Sequence, residues 1–217
     1  MLERYLQALR TDDPGAELPA ATRERLKPRF APGASRRMTV LGMLVGATLQ
    51  DLLQEGDDTL VYSSTYGESP ALEQFLESFP AASPTLFQTS IHPSGVQQAL
   101  IGRQRAVREV LPFAGGPGIV AHGALAAMLS PAPRVLWCGG DERGTWLREA
   151  GSASERTFAF ALALARAPSP PDCGRIALFP GDRPGALDLP AWFDLLRARR
   201  PWRGVVGGGW ELQLDWL

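Results

Sequence analysis

Apolar positions recur along this chain in two rhythms. Short runs rich in β-branched and aromatic residues, Thr59-Leu-Val-Tyr-Ser63 and Arg134-Val-Leu-Trp-Cys138, are too short for helices and read as buried strands, and Ala106–Phe113 reads as an extended strand. Between them the spacing turns helical: Met38 to Gln54, Glu68 to Phe79 (Leu72, Phe75, Leu76 and Phe79 on one side), Pro93 to Arg103 and Ile119 to Leu129. Gly42, Gly46 and Ala47 thin one face of the first of these helices, which predicts close packing against a sheet. Residues 1–10 read as a short amphipathic helix, and Ser83 to Ser90 as a loop. The apolar run Phe158–Ala165, a Pro-rich linker at 168–171 and Arg175–Phe179 predict a hairpin. A helix at Leu189–Arg199 and a strand at Trp210–Trp216 finish the chain. Strands alternating with helices, with a late antiparallel pair, predict a three-layer α/β fold around a mixed sheet.

The strand ending at Phe113 runs into Ala114-Gly115-Gly116-Pro117 before the next helix begins. A sharp strand-to-helix turn is where many α/β enzymes hold a nucleophile beside a helix N-terminus. Here those positions carry a methyl group and two hydrogens. No Gly-x-Ser-x-Gly occurs, and Gly115-Gly-Pro-Gly118 and Gly207-Gly-Gly209 match no phosphate-binding loop. His92 and His122 are the only histidines: the first sits where an imidazole caps backbone groups, and the second has no serine or cysteine on the turn to activate. Asp141-Glu142 reads as a solvated turn. Cys138 reads as a buried hydrophobe and Cys173 as inert, and neither has metal-ligand spacing. No cofactor and no metal are expected.

At 217 residues, 45% hydrophobic and 21% charged, the chain suits one globular domain. A net charge of −1 supplies no field for nucleic acid or an anionic membrane. With no signal-like start and no apolar stretch long enough to span a bilayer, the cytoplasm is the expected compartment. One local exception is the basic segment carrying Arg23, Arg25, Lys27, Arg29, Arg36 and Arg37. It is either a solvated face balanced by nearby acids or a docking patch for an acidic partner.

Three segments carry a resemblance: Tyr62-Ser-Ser-Thr-Tyr-Gly-Glu68, Ser83-Pro-Thr-Leu-Phe-Gln-Thr-Ser-Ile-His92 and Arg134-Val-Leu-Trp-Cys-Gly-Gly-Asp-Glu142. In this order and spacing, from about Arg29 to Glu142, they resemble the β-ketoacyl synthase-like N-terminal domain family, which includes chain-length-factor-like proteins of aryl polyene biosynthesis. The final segment with Trp202, Trp210 and Trp216 is also similar, whereas Pro93 stands where the family shows Asn. The resemblance implies a thiolase-like half-fold, three-layered with a mixed, five-stranded-type sheet. Full condensing enzymes join two βαβαβαββ halves, with a nucleophilic cysteine on a turn of the first. Here that cysteine's place falls at Ala114, Gly115 and Gly116, so no catalytic residue is assigned.

The implied organisation is an N-terminal extension, residues 1–28, and a ketosynthase-like domain, residues 29–217. The implied function is a non-catalytic, chain-length-factor-type subunit of fatty acid or polyketide-type biosynthesis that pairs with a full-length ketosynthase. The strand Ala106–Phe113 would form the dimer edge, with Leu111, Phe113, Phe87 and His92 at the interface or acyl tunnel. Acyl carrier protein is a second expected partner, docking through Arg23, Arg25, Arg29, Arg36 and Arg37. Two rivals stand beside this: a small acyltransferase or thioesterase using His92 or His122 with Ser90 or Ser94, and a module that only binds acyl carrier protein.

Overall fold

The computed structural model describes residues 1–54, 58–91, 93–170 and 172–217, so His92 and the linker residue Pro171 lie outside it. Strand β1 (Leu2–Asp12) leads through helix α1 (Pro19–Leu26) into α2 (Val40–Gln50) and β2 (Thr59–Ser64). Helices α3 (Ser69–Glu77), α4 (Pro84–Ile91) and α5 (Ser94–Arg103) precede β3 (Glu109–Ala114), α6 (Ile119–Leu129) and β4 (Arg134–Asp141). The short α7 (Trp146–Glu149) and β5 (Phe158–Ala165) follow, and β6 (Gly174–Pro180), α8 (Leu189–Ala198), β7 (Trp202–Gly207) and β8 (Trp210–Trp216) complete the chain.

All eight strands form one sheet in the order β3-β2-β4-β5-β1-β6-β8-β7. β3, β2 and β4 are parallel, and every other pairing is antiparallel. The sheet is mixed, as expected. The first five strands in sequence occupy five adjacent places, and β6, β8 and β7 extend the sheet beyond them.

The alternation in β5 divides the two faces. Phe158, Phe160, Leu162 and Leu164 point into a core shared with α6 and α8. Ala159, Ala161 and Ala163 point to the other side, where they meet the leucines and Met43 of α2 together with Val96 and Ala99 of α5. Successive side chains of a strand face opposite ways, so a Phe/Leu–Ala alternation makes one thick and one thin layer. On the thick side Trp137 stacks on Trp192 with ring centroids 5.2 Å apart, and its Nε1 donates to Ser63 Oγ at 3.0 Å.

Four expectations change. Residues 2–12 form a strand, not a helix, and lie between β5 and β6, so they belong to the central sheet and not to a separate extension over residues 1–28. Leu6 and Leu9, three apart as on a helix, share one core because a register shift between Leu6 and Ala8 returns Leu9 to the same face. β5 and β6 do not pair as a hairpin, because β1 runs between them. Ser83 to Ser90 is largely helix α4: Pro84 occupies the first helical position, and Leu86 N–H donates to Ser83 Oγ at 3.4 Å.

The fourth change concerns the glycine face of α2. It meets Ser94 and Gly95 of α5 and the Phe30 ring, not the sheet. Cβ atoms built at Gly46 and Gly42 would stand 3.0 Å from Gly95 O and 3.4 Å from Gly95 N.

Candidate functional site: a strand-to-helix turn without a nucleophile

The turn after β3 has the expected shape. Gly115 and Gly116 adopt φ of 90° and 82°, and Gly115 N–H donates to Ser64 O at 3.1 Å, which holds the turn against the end of β2. No atom lies within 4 Å of a Cβ built at either glycine, so the left-handed backbone, not crowding, calls for glycine. α6 then descends close to the sheet. A Cβ at Gly123 would come within 2.7 Å of Trp137 Nε1.

Ala114, Gly115 and Gly116 are exposed, and none carries a reactive group. The sheet's one cysteine among the described residues, Cys138, faces the α2 side instead, and burial pushes its thiol well above the ordinary range. Cys173 is half-buried with Sγ 3.2 Å from Leu6 O, and burial raises it too.

His122 and the serine candidates do not meet. His122 is exposed on α6 and stacks on Phe113, with ring centroids 6.5 Å apart. Ser90 Oγ donates to Phe87 O at 2.7 Å and Ser94 Oγ to Glu68 Oε1 at 3.2 Å. Among the described residues no serine–histidine hydrogen bond forms, so His122 builds no activated pair of the kind an acyl-transfer enzyme needs, and His92 lies outside the described residues.

β3 is an edge strand whose residues alternate. Leu111 and Phe113 are half-buried and pack against the core beneath α6, while Val110, Pro112 and Ala114 are the exposed set. Phe87, on α4, is exposed and packs 5.3 Å from Phe75. The arginines also separate into two groups. Arg23 donates to Met38 O (2.6 Å) and Ser35 O (2.7 Å), Arg25 pairs with Asp12 and Glu17, and Arg29 pairs with Asp51. Arg36 and Arg37 are exposed and form no ion pair with a described residue. Both line a cleft of about 400 Å³, together with Gln74, Thr85, Thr89 and, at the α2 N-terminus, Thr39.

The largest correction lies at the ends of β2 and β4. Asp141-Glu142 is not a solvated turn: Asp141 is fully buried and Glu142 nearly so, as are Glu68 and Glu73. Asp141 Oδ1 accepts from Ser64 Oγ (2.8 Å), Thr65 N–H (2.8 Å) and Tyr66 N–H (3.3 Å), which fixes the loop after β2. Glu73 Oε1 accepts from Thr145 and Leu147 N–H at 2.8 and 3.0 Å. Glu142 Oε2 accepts from Leu41 N–H at 2.8 Å, and Glu68 bonds Thr39 Oγ1 and Ser94 Oγ. Burial pushes Asp141 up to about 6 and both Glu68 and Glu142 up to about 7. The signal for this was two carboxylates directly at the end of an apolar strand, where a solvated turn and a buried tie look alike. Among the described residues no cluster of three or more His, Cys, Asp or Glu could hold a metal ion.

No protein-family model and no curated protein matches the chain. Solved structures do. A chain of "Ketosynthase (ApeO) in Complex with its Chain Length Factor (ApeC)" from Xenorhabdus doucetiae superposes with a TM-score of 0.68 at 18% identity, covering 99% of this chain and 100% of that one. Germicidin synthase from Streptomyces coelicolor, a type III polyketide synthase, matches at 13% identity with a TM-score of 0.46 over 97% of this chain and 69% of its own. A 3-oxoacyl-(acyl-carrier-protein) synthase III matches at 10% identity with a TM-score of 0.42, covering 83% and 55%. The full-length superposition and the mixed, helix-covered sheet give this chain the thiolase-like, ketosynthase-type fold.

Proposed function

We propose that this chain is a non-catalytic, chain-length-factor-type subunit that pairs with a full-length ketosynthase in polyketide-type biosynthesis. The observation that carries this reading is the turn at Ala114–Gly116, which has strand-turn-helix geometry without a hydroxyl or thiol. Claisen condensation through an acyl-enzyme needs a thiolate that first takes the acyl group as a thioester. Cys138 is sealed in the core on the other face of the sheet, so the partner supplies the thiol.

Pairing runs along β3, whose outer backbone edge is unpaired in the sheet and whose exposed side chains are small or apolar. Phe87 of α4, exposed and apolar, is proposed as a further contact. The similarity to a chain from a ketosynthase–chain length factor complex supports this reading at the level of fold. Acyl carrier protein, if it docks here, meets Arg36 and Arg37, because the other three arginines are already engaged. No helix among the described residues is long and apolar enough to cross a membrane. The proposed pair would act in the cytoplasm.

The test is co-expression with a full-length ketosynthase. The expected outcome is a one-to-one complex by light scattering, with condensation lost when the partner's cysteine is replaced. A stable monomer that ignores the ketosynthase, or acyl-thioester turnover by the isolated chain, overturns the reading.

A further inference from the structure

Thr39 caps α2 and is the meeting point of two buried carboxyl groups from different parts of the fold. Its Oγ1 accepts Gly42 N–H at 2.9 Å, bonds Glu68 Oε2, and also faces Glu142. Glu68 comes from the loop after β2 and is held on its other oxygen by Ser94 of α5 at 3.2 Å. Glu142 comes from the end of β4 and is held by Leu41 N–H at 2.8 Å. A hydroxyl has one hydrogen to donate, so it serves one carboxylate and accepts from any second acid beside it.

We propose that Glu68 and Glu142 share one proton across the Thr39 hydroxyl, and that this shared proton fastens the start of α2 to the ends of β2 and β4. With Glu142 protonated, its O–H donates to Thr39 Oγ1 and the Thr39 O–H donates to the Glu68 carboxylate. Moving the proton to Glu68 reverses both bonds. With neither protonated, one carboxylate faces the hydroxyl oxygen with no hydrogen between them.

The charges around the pair keep the proton in place. Glu73 of α3 acts on Glu142 in the like-charge sense, and Asp141 lies beside Glu142 on β4. Arg23 of α1 is the opposing cation, and its guanidinium is already committed to Met38 O and Ser35 O. Tyr62 of β2 is buried beside the same site: burial raises its hydroxyl most, Glu68 raises it further, the Ser64 side chain opposes this, and Asp141 adds to it. Burial, not any single partner, dominates the upward shift of both glutamates to about 7.

The sign follows from linkage. A carboxyl whose pKa is raised in the folded state binds its proton more tightly there, so its stabilisation is complete below the ordinary value of 4.5 and is lost as pH rises through about 7. One retained proton raises the unfolding equilibrium constant roughly tenfold per pH unit across that window. This does not depend on the proposed pairing with a ketosynthase.

The experiment is urea denaturation of the full chain from pH 5 to 8.5, for wild type, Glu142→Gln and Glu68→Gln. A glutamine at 142 accepts from Leu41 N–H and donates to Thr39 Oγ1 with no titratable proton. Glu142→Gln is therefore expected to flatten the profile by about one proton and to exceed wild type in stability at pH 8.5 but not at pH 5. Glu68→Gln is expected to flatten it in the same way. Profiles parallel to wild type for both variants overturn the proposal. Should the variants fail to fold, infrared spectroscopy of wild type decides: a protonated-carboxyl C=O band at pH 6 that disappears by pH 9 supports it, and the lack of any such band overturns it.

Discussion

Replacing Gly95 with alanine tests the packing that seats α2 and α5. A Cβ at that position would overlap the carbonyl oxygen of Gly42 and stand 2.9 Å from its carbonyl carbon and Cα. Every one of these is a backbone atom, so no side chain can swing away and one helix must move. Movement of α5 would pull Ser94 from Glu68 and lift Val96 and Ala99 from the α2 side of the core, where both are buried. Overpacking that forces backbone shifts costs about 1–3 kcal/mol, and disturbing the buried Ser94 bond adds about 1 kcal/mol. For a chain of this size a loss of about 2–4 kcal/mol lowers the thermal midpoint by roughly 4–16 °C. Gly102→Ala is the internal control: it lies on the same helix, is exposed, and nothing stands within 4 Å of the new methyl. It should be neutral or gain up to about 1 kcal/mol from helix propensity. Urea and thermal midpoints of both variants give the difference. If Gly95→Ala falls within about 0.5 kcal/mol of Gly102→Ala, the helix contact is not as close as described and the reasoning fails.

Other perturbations read different parts of the fold. Arg4 is fully buried with no carboxylate partner among the described residues; it donates to Ser130 O at 2.7 Å and Ala132 O at 3.2 Å. Arg4→Met takes the donor from Ala132 O and leaves Ser130 O to Arg166 alone, which should cost about 1–3 kcal/mol by denaturation. Trp137→Phe removes the bond to Ser63 and part of the stack on Trp192, for about 1–3 kcal/mol, and unchanged stability would contradict the packing described. Maleimide should leave Cys138 unlabelled in the native protein and label it only on unfolding, while Ala114→Cys should label at once, as read by mass spectrometry. Val110→Asp, on the exposed side of β3, should change stability by less than about 0.5 kcal/mol yet abolish co-elution with a ketosynthase. Retained co-elution would remove β3 from the interface.

The elements that were legible in the sequence are those whose burial pattern has one interpretation. α6 and α8 are of that kind; β5, whose eight apolar residues fit a helix as well as a strand, is legible as a strand only from the Pro-rich linker and the second apolar run that follow it. β1 has helical spacing in the sequence because a bulge imitates it, and only its pairing with Ala165 through Ala159 on one side and Leu178 through Gly174 on the other distinguishes the two. α4 looks like a loop in the sequence because a proline that starts a helix resembles one that breaks it. The carboxylates were hidden for a different reason. Asp141 and Glu142 are ordinary surface residues by type, and what buries them is the convergence of the β2 loop and the α2 N-terminus, separated from them by some 75–101 positions in the chain. Long-range convergence of that kind leaves no local pattern.

The three strands beyond the first five explain how one half-fold keeps α6 covered. Val206 of β7, Leu212 and Leu214 of β8, and Trp192, Phe193 and Leu196 of α8 all lie in the core that α6 shares. The β7–β8 turn reaches the empty elbow itself, since a Cβ built at Gly207 would stand 3.7 Å from Gly118 Cα. The helix behind the elbow is therefore buried by this chain's own C-terminal strands, whereas β3 keeps one open edge and the exposed Val110 beside it. A chain arranged this way completes that core by itself. On the pairing proposed above, what it offers a ketosynthase is an edge strand ending in a turn of alanine and glycine, so association along β3 would bring that turn up to the interface without adding a second nucleophile.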